Sequence, residues 1–453
     1  GQYKDYDPAA LTLLDPENVY VGFFAARRAR ATFSDVQLTV IDPADDAEAE
    51  ARTVEQVIPT MSIVSGGTSN SEQYTLSWVS NVAGTADVYV SEPEGDQEQV
   101  GKAIATVAEI RNDYVFMLPT QGEMIIEVVF TPDGAQDLGE GRALANTKKI
   151  SAEHTVVYTS AYAKLTEIHV APDGTPSGLG TIDKPLNLGT AVKYVRPGQS
   201  IILAEGVYNF VEPLRIPHGI DGTAEAPIRM VAAEGARPVL DFKGVGAGII
   251  HGGDYWYFKG FDVTGAANGQ KGFQVSGHYN TLEQINAYRN GNTGIQISRY
   301  AGSDPVSEWP SHNLILNCTA YENADAGYED ADGFAAKLTC GEGNVFDGCV
   351  AYHNADDGYD LYAKIETGPI GAVVIRNSVA YLNGILPDGT IGGNGNGFKL
   401  GGSNIPGGHM LENSYAFFNR SKGIDSNSCP DVIVQNCISY NNLRYNVAFY
   451  TNV

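Results

Sequence analysis

Residues 349–362 read CVAYHNADDGYDLY, and this stretch decides how the chain folds. An apolar alternating run ends on Asn354, Asp356-Asp357-Gly358 supplies turn chemistry, and a second short alternating run follows. The same plan recurs along the chain. The segments NAYRN, TAYEN, VAYHN, VAYLN, YAFFN and ISYNN align without gaps and end at Asn290, Asn323, Asn354, Asn383, Asn419 and Asn442, at intervals of 33, 31, 29, 36 and 23 residues. Most are followed by a Gly-led strand: KGFQVS, TGIQIS, DGFAAK, DGYDLY, NGFKLG and KGIDSN. Such intervals suit coils that carry loops of different length. Identical positions stacked coil upon coil, about 4.8 Å apart, imply a parallel β-helix in an all-β chain. The six asparagines are predicted to form an internal ladder, and Cys318, Cys349, Ser378, Ser414 and Cys437 a row of small core residues. With no CxxC pair and all five cysteines in the last third of the chain, they are expected mostly as buried thiols.

Outward from the repeat, composition sets limits. The 453 residues allow two to four domains. Lys and Arg number 29 against 54 Asp and Glu, a net charge of −25, which argues against nucleic acid as a partner. No run approaches the roughly 18 apolar residues of a membrane span. The opening GQYKDYDPAA lacks the basic-then-apolar layout of a signal peptide. Residues 1–52 read as the C-terminal remnant of a β-sandwich plus an acidic linker, and 53–164 as a fibronectin type III-like β-sandwich of short alternating runs. Residues 165–453 are the β-helix, with one amphipathic stretch near Leu188 to Tyr194 capping its open end. The strand pair at the start has nothing upstream to pair with, and the last coil still follows the repeat. The natural protein is therefore expected to continue at both ends, to carry an upstream signal peptide, and to be a secreted monomer within a multimodular chain.

The residue after each leading Gly is apolar (Phe273, Ile295, Phe334, Tyr359, Phe398, Ile424) and should point inward. Its successor should point outward. Down the coils this outward column reads Gln274, Gln296, Ala335, Asp360, Lys399, Asp425, and the column before Gly reads Lys271, Thr293, Asp332, Asp357, Asn396, Lys422. Asp332, Asp356, Asp357 and Asp360 are thus expected near one another on the surface, with Lys399 one coil further along. Four such carboxylates repel one another unless a cation sits among them. An all-oxygen set without His or Cys favours Ca²⁺.

The segments DADGFAAKLTCGEGN, NADDGYDLYAK and NGNGFKLGG resemble the family 9 polysaccharide lyases, from about residue 166 to the end. That resemblance implies a right-handed parallel β-helix that cleaves pectic polysaccharide with Ca²⁺. It implies Asp332, Asp356, Asp357 and Asp360 as calcium ligands and Lys399 as catalytic base. It leaves homogalacturonan and rhamnogalacturonan I both open as the acidic substrate.

The residues suit that chemistry. β-Elimination removes the C5 proton, α to the uronate carboxylate, and expels the C4 oxygen. A divalent cation bridging enzyme and substrate carboxylates stabilises the developing charge, and it lets an acidic protein hold a polyanion. Arg299 is a candidate clamp for a substrate carboxylate and Lys337 a candidate subsite lysine. His353 and His409, with no acidic or serine partner patterned around them, read as structural. A glycoside hydrolase on the same fold would use the aspartates and leave Lys399 idle. A non-catalytic carbohydrate-binding β-helix is the remaining alternative.

Overall fold

A computed structural model describes residues 54–450, so the expected sandwich remnant at 1–52 lies outside the described residues. From Glu167 onward, successive coils each lay one short strand on three long sheets of ten, nine and nine strands. These begin with Glu167–Thr175, Val207–Asn209 and Leu214–Ile216 and run to Ile433–Gln435, Ile438–Tyr440 and Tyr445–Ala448. Neighbours pair in parallel, as the recurrence of one pattern at one position per coil requires. The Gly-led strands form the third sheet. Phe273, Ile295, Phe334, Tyr359, Phe398 and Ile424 stand in register there and are buried. The aromatic members stack, Phe334 on Tyr359 at 5.1 Å and Tyr359 on Phe398 at 4.7 Å between ring centroids.

The asparagine ladder is continuous. Each Nδ2 from Asn290 to Asn419 donates to the Oδ1 of the next coil's asparagine at 2.9–3.0 Å. The residue ahead of each rung is left-handed, with φ of 52° at Arg289, 54° at Glu322, 53° at His353, 55° at Leu382, 56° at Phe418 and 53° at Asn441. A left-handed non-Gly residue costs about 1–2 kcal/mol. The corner nonetheless persists in every coil, because the ladder amide satisfies the backbone groups it leaves open. His353 is one of these corner residues and its Nδ1 lies 2.7 Å from the Ile385 carbonyl, while His409 Nδ1 accepts from Val373 N, so both histidines serve the framework. A second, shorter ladder joins Asn280, Asn313 and Asn344, which close the segments HYN, SHN and EGN at the start of three strands of the first sheet.

Asn354→Ala is expected to destabilise the fold by about 3 kcal/mol or more. It strands the Asn323 N–H and the Ala320 carbonyl, at about 1–3 kcal/mol for each buried unsatisfied group, and ends the ladder at that coil. Urea unfolding checks this, and a loss under 1 kcal/mol would show the ladder to be incidental.

The helix Leu188–Tyr194 falls where expected. Its N-cap Asn187 accepts from Thr190 N, and Leu188, Ala191 and Val192 join the β-helix core at its N-terminal end. The five cysteines are free thiols, and Cys349 N donates to Ser378 Oγ and Ser378 N to Ser414 Oγ along the small-residue row.

Ahead of the β-helix, a five-stranded sheet and a three-stranded sheet share one buried core. Leu76, Trp78 and Phe116 of the smaller sheet meet Val88, Ile126, Val128 and Val156 of the larger. Residues 56–450 belong to one compact unit. Arg111, on the smaller sheet, reaches into the β-helix and pairs with Asp221 at 2.7 Å and Asp254 at 3.7 Å.

Candidate active site

The third sheet brings the predicted column together in the predicted order, Gln274↔Gln296↔Ala335↔Asp360↔Lys399↔Asp425. The glycine before each strand permits this spacing. A Cβ on Gly358 would lie 2.7 Å from the Asn383 ladder amide and 2.6 Å from the Gly397 carbonyl, so the coil could not close over the ladder with any other residue there.

Asp332, Asp357 and Asp360 each present an oxygen such that all three atoms lie within 4.8 Å of one another. The carboxylates are not on the open surface, as the alternation alone suggested, but buried: Asp332 and Asp357 are 0% exposed, Asp360 2% and Asp356 3%. Outward on the strand is not outward to water here, because Lys337, Lys399 and the loop that includes Asn394 fold over the sheet. Asp356 stands beside the trio. Its Oδ1 accepts from the backbone N–H and the side-chain amide of Asn394.

Both lysines lie in the cluster. Lys337 Nζ is 2.6 Å from Asp332 Oδ2 and 2.9 Å from Asp360 Oδ2. Lys399 Nζ is 3.2 Å from Asp357 Oδ2 and 3.4 Å from Asp360 Oδ1, and lies 5.4 Å from the centre of the Tyr362 ring. Arg299 stands apart from the cluster, half-buried, with its backbone N–H bonded to Thr339 and no ion pair to its guanidinium among the described residues.

Electrostatics follow from this crowding. Burial, reinforced by Asp360 and Asp357 and opposed by Lys337, pushes Asp332 up to about 7. Burial together with Asp357 and Asp332 pushes Asp356 up to about 9, and burial raises Asp357 as well. Burial also acts to raise Asp360, but Lys337 and Lys399 outweigh it and hold that carboxyl below its ordinary value. Burial acts to lower Lys399, yet the carboxylates led by Asp360 and Asp357 hold it well above the usual lysine range.

The set fits a divalent cation. If all four carboxylates ionise, they outnumber the two ammonium groups by two negative charges in a buried site, the charge that a divalent cation would neutralise. Asp357 Oδ2 and Asp360 Oδ1 are buried without a hydrogen-bond donor, since Lys399 reaches ion-pair distance but not hydrogen-bond geometry. Buried oxygens in that condition suit a metal ligand.

Sequence reading missed four contributors. Thr293 Oγ1 donates to Asp332 Oδ2, and Asn396 donates to Asp357 Oδ1 through both its backbone and its side chain. Tyr362 flanks Lys399, and Asn394 holds Asp356. Thr293 and Asn396 stood in the column with Asp332 and Asp357, so register alone could have found them. Tyr362 follows Asp360 by two residues on the same outward face. Asn394 sits in a loop with no periodic signal.

Fold and site together define a parallel β-helix with a buried acidic centre, paired to lysines, on one of its three sheets. Residues 168–452 match the family described as Pel9A-like, right handed beta helix region, and the chain belongs to that family. The chain is 42% identical over 445 residues to pectate lyase L of Thermoclostridium stercorarium, covering 98% of this chain and 35% of that protein. It is 45% identical over 292 residues to pectate lyase L of Paenibacillus polymyxa, covering 62% of this chain and 65% of that protein. It is 31% identical over 447 residues to the pectate disaccharide-lyase of Dickeya chrysanthemi, covering 97% of this chain and 53% of that protein. The chain thus spans about a third to two thirds of the length of these curated relatives. Among solved structures it superposes on pectate lyase Pel9A with a TM-score of 0.52 at 33% identity, over 63% of this chain and 78% of that one. The likeness also reaches beyond the β-helix, to which the sequence motifs had confined it, since two of the relatives align with nearly the whole chain.

Proposed function

We propose that the chain is the catalytic part of a secreted, Ca²⁺-dependent lyase that cleaves pectate by β-elimination. The observation that carries this reading is the juxtaposition of three buried carboxylates within 4.8 Å with a lysine that pairs with two of them. Asp332, Asp357 and Asp360 would hold the ion, with Asp356 as the fourth carboxylate beside them. Bound calcium would supply positive charge to the uronate carboxylate and so acidify the proton at C5.

Lys399 is the group placed to take that proton. Its Nζ borders the carboxylates, and its side chain retains 12% exposure. In the cation-free cluster the aspartates keep Lys399 protonated; once their charge is engaged, the lysine can release its proton and act as base. Arg299, without an acidic partner among the described residues, would clamp a substrate carboxylate bidentately. Lys337, bonded to Asp332 and Asp360, would reach substrate only when those carboxylates take the ion. Pectate rather than rhamnogalacturonan is favoured because the relatives carry pectate in their names. Residues 53–164 are read as a fibronectin type III-like accessory module, on the support of the five-stranded and three-stranded sheets that share one core.

The test is the release of unsaturated uronate, followed by its ultraviolet absorbance, from polygalacturonate and from rhamnogalacturonan I, with Ca²⁺ or with chelator. Absorbance is expected from polygalacturonate with Ca²⁺ and not with chelator. Reducing ends without unsaturated product would point to a hydrolase, and binding without cleavage to a non-catalytic protein.

A further inference from the structure

Four half-buried lysines line the third sheet: Lys271, Lys337, Lys399 and Lys422. Three have carboxylate partners, Lys337 with Asp332 and Asp360, Lys399 with Asp357 and Asp360, and Lys422 with Asp425 at 2.6 Å. Lys271 makes no ion pair or side-chain hydrogen bond among the described residues, in a chain whose net charge is −25. Ammonium groups withdrawn from water are ordinarily paired. Lys271 instead feels burial and the like charge of Lys337, both of which lower its affinity for a proton.

Register fixes where it stands. Gly272 N donates to Thr293 O and Gly294 N to Asp332 O, so Lys271, Thr293 and Asp332 occupy one column on successive coils. Lys271 is therefore two strand spacings, about 10 Å, from the acidic centre. That span is on the order of two sugar residues. Two further cations on the earlier coils, Arg215 in Leu214–Ile216 and Arg299 just beyond Ile295–Ile297, are likewise without acidic partners among the described residues. On the other side of the centre, the next lysine is already neutralised by Asp425. Lys271 thus places an unpaired charge on the side of the centre toward the N-terminal coils.

We propose that Lys271 is the anionic subsite of this sheet, binding a uronate carboxylate of the polysaccharide about two sugars from the reacting bond and so setting the direction in which the chain extends, toward the N-terminal coils. This rests on the reading of the chain as a pectate-binding enzyme and adds to it the residue that holds a distal part of the substrate. A charge that only holds substrate acts on binding and leaves the chemical step alone.

Lys271→Met, which keeps length and removes charge, is expected to raise KM for polygalacturonate by about tenfold or more, the worth of one charge-assisted hydrogen bond. kcat should stay within a few-fold, and calorimetric Ca²⁺ affinity should not change. Lys271→Arg should restore KM. Long oligogalacturonides should feel the loss and disaccharides should not. A wild-type KM in Lys271→Met, or an equal loss for long and short substrates, would overturn the subsite. Binding separates this from the broader reading: titration of Lys399→Ala with a long oligogalacturonide, with and without Lys271→Met, measures the subsite with no turnover. A tenfold difference there, with no unsaturated product from the wild type, would keep the subsite and reject the lyase. Equal binding alongside wild-type lyase activity would do the reverse.

Discussion

Lys399→Arg is expected to lower kcat on polygalacturonate by roughly 10²- to 10⁴-fold, the usual worth of a positioned general base, while Ca²⁺ and oligogalacturonide binding persist. The substitution is informative because it keeps the charge. Arginine can still pair with Asp357 and Asp360 as Lys399 does, at 3.2 and 3.4 Å, so a purely electrostatic role would survive it. Arginine cannot release a proton at any pH the protein tolerates. The pH dependence follows with its sign. A base works deprotonated, so the rate should climb with pH through the pKa of Lys399 in the complex. The carboxylates hold that group well above its ordinary range when uncompensated, and the rising limb should therefore move to higher pH as Ca²⁺ is made limiting. Retention of more than about a tenth of kcat in Lys399→Arg, far short of a general-base loss, would move attention to Lys337, the other ammonium group in the cluster.

Asp360→Asn should do the most to the metal. Asp360 is the carboxylate shared by both lysines, and its Oδ1 is one of the two buried oxygens left without a donor. Ca²⁺ affinity is expected to fall by more than about 100-fold, beyond the 10- to 100-fold seen when only an outer-shell partner is lost. Activity should vanish with it. The amide is isosteric, and the residue lies on a strand held by the glycine column and the ladder, so the variant should unfold as cooperatively as the parent. Asp357→Asn should behave in the same way. Unchanged calorimetric Ca²⁺ affinity in both variants would reject this carboxylate set as the ion's ligands.

Much of the molecule was written in local periodicity. Repeating asparagines at coil corners, glycines ahead of short strands and an apolar residue after each glycine specify a parallel β-helix, because each signal is useful only if the same position of the next coil lies against it. The ladder from Asn290 to Asn442 and the buried row from Phe273 to Ile424 follow from that condition, as does the order of Asp360 and Lys399 on adjacent coils. The capping helix at Leu188–Tyr194 was legible for a related reason: an open solenoid end must be covered.

What register could not supply was depth and partnership. Alternation says that Asp332, Asp357 and Asp360 leave the core, but their burial depends on what folds over them. That is a lysine three residues past its glycine's strand start, Lys337, and an aperiodic loop that lends Asn394 to Asp356. The pairing of Lys337 with Asp360 and the approach of Tyr362 to Lys399 likewise depend on side-chain paths across coils 23 or more residues apart, and so does the lack of an acidic partner for Lys271 among the described residues. Sequence alone thus determined which residues share a column, since a fixed rise per coil and strict alternation of faces leave no other arrangement. Only the tertiary structure decided which charges are buried and which are neutralised, because those energies depend on distances of a few ångströms between side chains whose positions no repeat specifies.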